Sequence, residues 1–80
     1  MLFGANLRDA MLSNANLSGA TLAFASLNDA NLTGADLRDA NLTDANLNRA
    51  KITQAQLDQA CGTDVKLDPG LIVKPCPTSP

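Results

Sequence analysis

Apolar residues recur along this chain at a single spacing. An alanine occupies every fifth position from Ala5 to Ala60, and a large aliphatic follows two places after each but the last, from Leu7, Leu12 and Leu17 through Ile52 and Leu57. Leu2 stands one period earlier, and the intervening slots hold mostly Asn, Asp, Ser, Thr, Gly and Arg. On an α-helix a five-residue step advances by about 500°, so successive leucines would spiral round the surface instead of forming a stripe. On one continuous strand an odd period would reverse the apolar face at each repeat. The chain must therefore turn once per repeat.

Within a unit, Ala and Leu two apart both face inward on a short extended segment, and the polar residues make the corner. Asn and Asp suit such corners because their short side chains bond nearby backbone groups. Turning repeatedly in one sense with a small rise gives a coil whose levels stack at the strand spacing of about 4.8 Å, which is a solenoid.

Units such as Ala30-Asn31-Leu32-Thr33-Gly34, Ala35-Asp36-Leu37-Arg38-Asp39 and Ala40-Asn41-Leu42-Thr43-Asp44 closely resemble the pentapeptide repeat proteins. The resemblance covers residues 1–60 and implies an all-β fold, a right-handed quadrilateral β-helix with four pentapeptides per square turn. Three such coils would stand about 14 Å tall. Residues 61–80 are expected to form a C-terminal capping segment, which also occurs in the family.

The eighty residues make one small domain with net charge −2. That charge is too mild to define a partner and disfavours binding to phosphates. There is no basic run, no aromatic stacking platform and no apolar stretch long enough for a membrane span, so neither nucleic acid nor membrane is expected as a partner. The repeats begin at once without a signal-peptide pattern, which makes the cytoplasm the default compartment. His, Glu, Tyr and Trp are absent. Without His, no ordinary base activates a Ser or Cys nucleophile, and two cysteines alone make a poor zinc site. The Gly-Gly-x-Gly-x-Asp pattern of calcium-binding rolls is also missing. No catalytic residue, metal or cofactor is expected.

At the N-terminus Met1 falls in a polar slot and Leu2 in an inward one, with no capping segment before them. The ends of Leu2 and Leu7 are then uncovered, so either a second copy covers them or the chain continues a longer protein. Residues twenty apart should stack. Phe3, Ala23 and Thr43 then share one outward column, and Gly4, Phe24 and Asp44 the next. Phe3 and Phe24 are the only aromatics in the chain. Together with Ala23 and Leu2 they are the candidate interaction residues, because an exposed apolar patch marks a contact site. The alternative is that the two rings simply pack on their own corner. Asp9 and Asp29 should stack over Arg49, giving a surface of interspersed signs.

In the tail, Val65, Leu67, Leu71, Ile72 and Val73 are available to cover the last coil, with Asp68-Pro69-Gly70 as a turn between two apolar segments. Cys61 and Cys76 flank this region. They either remain free thiols or close a loop worth about 3 kcal/mol, in which case an oxidising compartment such as the periplasm replaces the cytoplasm.

These features favour a non-enzymatic bacterial scaffold, presenting its outer faces to a protein partner or to another copy as a homodimer through the N-terminal end. The alternative implied by the resemblance is a DNA-mimicking modulator of a type II topoisomerase such as gyrase, from which the mild charge and short solenoid depart. A surface-binding face on the Ser13, Thr33 and Thr53 column has little area to offer.

Overall fold

The computed structural model describes residues 2–77; Met1, expected in a polar slot, lies outside them, as does the end of the expected cap at 78–80. Its framework is a ladder of isolated parallel bridges joining residues twenty apart: Asn6 to Ser26 to Asn46, Met11 to Asn31 to Lys51, Asn16 to Asp36, and Thr21 to Asn41. The chain thus returns over itself every twenty residues, as the solenoid reading requires. Each rung is only a few residues long because a turn follows at once. From Leu2 to Leu47, Leu37 above the later interruption excepted, each leucine N–H donates down to the next level, as from Leu22 to Asn41 O at 2.8 Å, and the bridging residue below donates back up, as from Asn41 to Ala20 O at 3.0 Å.

The corners have one construction. From Leu2 to Leu47 each leucine carbonyl accepts from the alanine three residues on, as from Ala25 to Leu22 at 3.0 Å, and the residue before that alanine takes a positive φ. A positive φ at the third residue is the signature of a type II turn and favours Gly, Asn and Asp. Ten successive repeats, from Gly4 to Arg49, meet this demand. The Asn or Asp between Ala and Leu braces the same corner: Asn6, Asn16, Asn31, Asp36, Asn41 and Asn46 each accept from the N–H two residues on. Where that next residue is Ser18, Thr33 or Thr43, its hydroxyl also donates to the same oxygen at 2.7 Å.

Inside, leucines and alanines make one column of core. Leu22, Leu27, Leu32, Leu37, Leu42, Leu47 and Leu57 are fully buried, whereas Leu2, Leu7 and Leu12 are half-buried. Among the described residues, Leu2, Leu7 and Leu12 have a level packed on one side only.

The third passage round the coil departs from the repeat. Residues Gln54–Leu57 form a single helical turn, α1, capped by Thr53. Thr53 accepts from Gln56 N–H while the Gln56 carboxamide accepts from Thr53 N–H at 2.9 Å, a capping box. Asp36 consequently has no bridge partner below it, and positive φ is interrupted at positions 54 and 59. The Gln56 side chain takes over the missing backbone's work, donating to Leu32 O at 2.7 Å and to Ala35 O at 3.0 Å. Ala55, expected to face inward, is exposed instead because α1 turns it out.

Bridges from Asn41 to Cys61 and from Asn46 to Lys66 carry the ladder past Ala60, into the segment expected to act as a cap. Positive φ resumes at Asp64, and Val65 and Leu67 pack against the core from the Ala and Leu slots. Gly62 occupies the vacant Leu slot, buried against the backbone of Leu42 and Thr43. The turn at Asp68-Pro69-Gly70 is present: Leu71 N–H donates to Asp68 O at 3.2 Å and Gly70 has φ 92°. Beyond it the chain passes α1, with Ile72 paired to the Gln54 carboxamide and Leu71 and Val73 packed inward. Ile72 does not share in covering the core; it is 73% exposed, between Leu71 and Val73, which take the inward positions.

Candidate interaction surface

Phe3 and Phe24 meet on one corner. Phe3 precedes the positive-φ position of its repeat and Phe24 occupies that position in the repeat stacked next to it, so the two rings are offset by one column. Their centroids lie 5.3 Å apart with the planes inclined by 54°, a favourable tilted arrangement. Both remain largely in solvent, 66% and 54% exposed. Phe24 holds φ 62°, a conformation costly for a bulky side chain, where the equivalent slots carry Gly4 and Asp44.

The four residues expected to form this surface do not all reach it. Leu2 does, half-buried at the end of the core with its N–H bonded to Thr21 O. Ala23 does not. It is 6% exposed, a short methyl in the column between Phe3 and Thr43. The exposed surface is therefore Phe3 and Phe24, with the half-buried Leu2 next to Phe3 in the chain.

Two ion pairs brace the outside of the coil. Arg49 grips Asp29, one level away, through Nε to Oδ1 at 2.8 Å and Nη2 to Oδ2 at 3.0 Å, and these hydrogen bonds hold the Asp29 carboxyl below its ordinary value. Arg38 does the same to Asp36 within one repeat. The stacking of Asp29 over Arg49 was legible from their spacing of twenty.

Where α1 interrupts the wall, an open notch of about 410 Å³ is lined by Thr33, Gly34, Lys51, Ile52, Thr53 and Gln56. Lys51 is its one charged side chain, and the Thr33 and Thr53 hydroxyls are engaged with Asn31 and Gln56. It holds no acid–base pair. Because Thr53 belongs to a helix cap, the expected hydroxyl column is not a repeating flat face. Among the described residues, no three His, Cys, Asp or Glu are grouped to hold a metal ion, and no helix is long and apolar enough to cross a membrane.

At the other end of the core, the Cys61 and Cys76 sulfurs lie at disulfide-bonding distance, with the Cα atoms 4.6 Å apart. Sequence reasoning found these two cysteines but missed the polar side chains that seat the tail. The Gln54 carboxamide pairs with both backbone groups of Ile72, at 2.8 and 3.0 Å. Lys74 Nζ donates to Asp58 O and to Ala60 O, and Arg49 N–H donates to Asp68 Oδ1 at 2.9 Å. The Thr53-x-x-Gln56 pattern was the available signal for this departure, together with Gln in a slot that otherwise favours Asn or Asp.

A family model of pentapeptide repeats matches the chain in eight copies, over residues 2–39 and 25–61. No curated protein matches it.

Proposed function

Since the chain belongs to the pentapeptide repeat family, we propose that it serves as a non-enzymatic interaction module, a right-handed β-helix of three coils whose N-terminal corner docks a protein partner or a second copy. The observation that carries this reading is Phe24, an exposed aromatic kept at positive φ beside Phe3. Strain of about 1–3 kcal/mol at an exposed site is better explained by a contact than by folding. The half-buried Leu2 stands beside Phe3 in the chain. The paired charges of Arg49 with Asp29 and Arg38 with Asp36 favour a protein-facing scaffold over an acidic duplex mimic. Proximity of Cys61 and Cys76 supports an oxidising compartment such as the periplasm over the cytoplasm.

The test is Phe24→Asn, which removes the ring and gives the backbone a residue at ease with positive φ. Light scattering and affinity capture from the source cell's extract are compared for the two proteins, with circular dichroism as the folding control. The reading expects self-association or one captured partner to be lost in a folded variant. Equal association by parent and variant would overturn it.

A further inference from the structure

The last described residues are attached differently from everything before them. From Asn6 to Lys66, α1 apart, the chain is held by a repeating backbone ladder. Past the turn at Asp68-Pro69-Gly70, among the described residues, the only backbone bond between the extended segment and the coil is Gly62 N–H to Lys74 O, at 2.8 Å. The other contacts come from side chains: the Gln54 carboxamide on Ile72, Lys74 Nζ on Asp58 O and Ala60 O, and the half-buried Leu71 and Val73. Most of these groups sit at the surface, where such bonds open readily.

At the far end, Cys76 stands between Pro75 and Pro77. Neither proline has an N–H to donate, so this stretch is poorly equipped to build a ladder. Its hold on the coil is the bond to Cys61, supplemented by a contact of Cys76 Sγ with Asn41 Oδ1 at 3.3 Å. Cys61 itself occupies a bridge slot opposite Asn41, with its N–H bonded to Ala40 O and its carbonyl to Leu42 N–H. Cutting the disulfide therefore leaves the ladder at Cys61 in place and frees only what hangs from it.

We infer that residues 71–77 form a redox-released strap, closed over the end of the core by the Cys61–Cys76 bond and opened when that bond is reduced. A dithiol reductant supplies two electrons and two protons: the sulfur–sulfur bond breaks, two cysteine thiols form, and the reductant leaves as its own cyclic disulfide. Release withdraws Leu71 and Val73 from the core and frees the Lys74 ammonium from the carbonyls of Asp58 and Ala60. Reoxidation restores the strap.

The experiment compares the full chain oxidised, reduced with dithiothreitol, and reoxidised, using hydrogen exchange read by mass spectrometry and pulse acylation of amines. The double variant Cys61→Ser/Cys76→Ser is carried through without reductant. The loop closed by the bond spans fifteen residues, for which cross-linking shifts a closing equilibrium by about a hundredfold. Exchange at Gly62 and across 71–77, with acylation of Lys74 relative to Lys66, should rise at least tenfold on reduction and in the double variant. Amides of Leu27 and Leu32 should change less than twofold. Two results would overturn the inference: a tail equally protected with and without the bond, or loss of coil and tail protection in one step.

Discussion

Gly62 gives the sharpest test of how the end of the core is closed. A methyl built on it meets Val65 Cγ2 at 2.7 Å, Leu42 C at 2.9 Å and Thr43 N at 2.9 Å. Two of these three atoms are backbone in the ladder above, so no rotamer change relieves them. Ordinary contact begins at 3.4 Å, so the segment carrying residue 62 must withdraw by about 0.5 Å. Overpacking of this kind costs about 1–3 kcal/mol, and weakening the Gly62 to Lys74 hydrogen bond adds about 1. Gly62→Ala should thus lose about 2–4 kcal/mol, which in a domain of this size lowers Tm by about 10–25 °C. The control is Gly19→Ala, where φ is +70° but nothing lies within 4 Å of the new methyl. Its loss is set by backbone strain alone, about 1 kcal/mol. Urea unfolding of the oxidised proteins, followed by circular dichroism, measures both. Adding Val65→Ala to Gly62→Ala removes only the side-chain contact and should not restore stability. If Gly62→Ala costs no more than Gly19→Ala, the close approach of the two backbones is not what closes the core.

Two further outcomes follow from named contacts. Gln56→Ala removes the donors to Leu32 O and Ala35 O together with the acceptor for Thr53 N–H, and should cost about 1–3 kcal/mol in urea unfolding, against about 1 for Thr53→Ala. The Asp29 and Asp36 carboxyls are held below their ordinary values chiefly by hydrogen bonds from Arg49 and Arg38. Their contribution is present above the unfolded carboxylate value near about pH 4 and is lost as pH falls through the lower folded values. Asp29→Asn/Asp36→Asn should accordingly lose less stability between pH 7 and pH 2.5 than the parent, and an equal loss would show that these pairs do not contribute to folding.

The solenoid was legible because one physical demand, an inward Ala and Leu followed by a corner, repeats often enough to exclude the alternatives. The twenty-residue return and the stacking of Asp29 over Arg49 follow from the same count. What escaped was decided by contacts the period does not encode. Ala23 reads as an outward residue, yet its short side chain is buried. Ala55 and Leu57 keep the spacing of the repeat while the Thr53–Gln56 capping box winds the backbone between them into α1. Gly62 looks like the end of the pattern because the Leu slot is empty, but the backbone continues through it and Val65 leans into the space. The aromatic corner was visible as two residues. That Phe24 sits at positive φ could be read only once the turn type was known.

The closing segment is keyed to particular columns: Cys61 lies under Asn41, Lys66 under Asn46, and Gly62 against Leu42 and Thr43. This makes length a quantised variable. A block of twenty residues inserted between two corners adds a whole storey and leaves every one of those columns in register beneath the new floor. A block of five inserted between Asn46 and Thr53 preserves the Ala and Leu rhythm but carries the closing segment one wall round, where Cys61, Gly62, Lys66 and the Gln56 carboxamide face the wrong columns. The fold's unit of repetition is the pentapeptide, and its unit of growth is four of them.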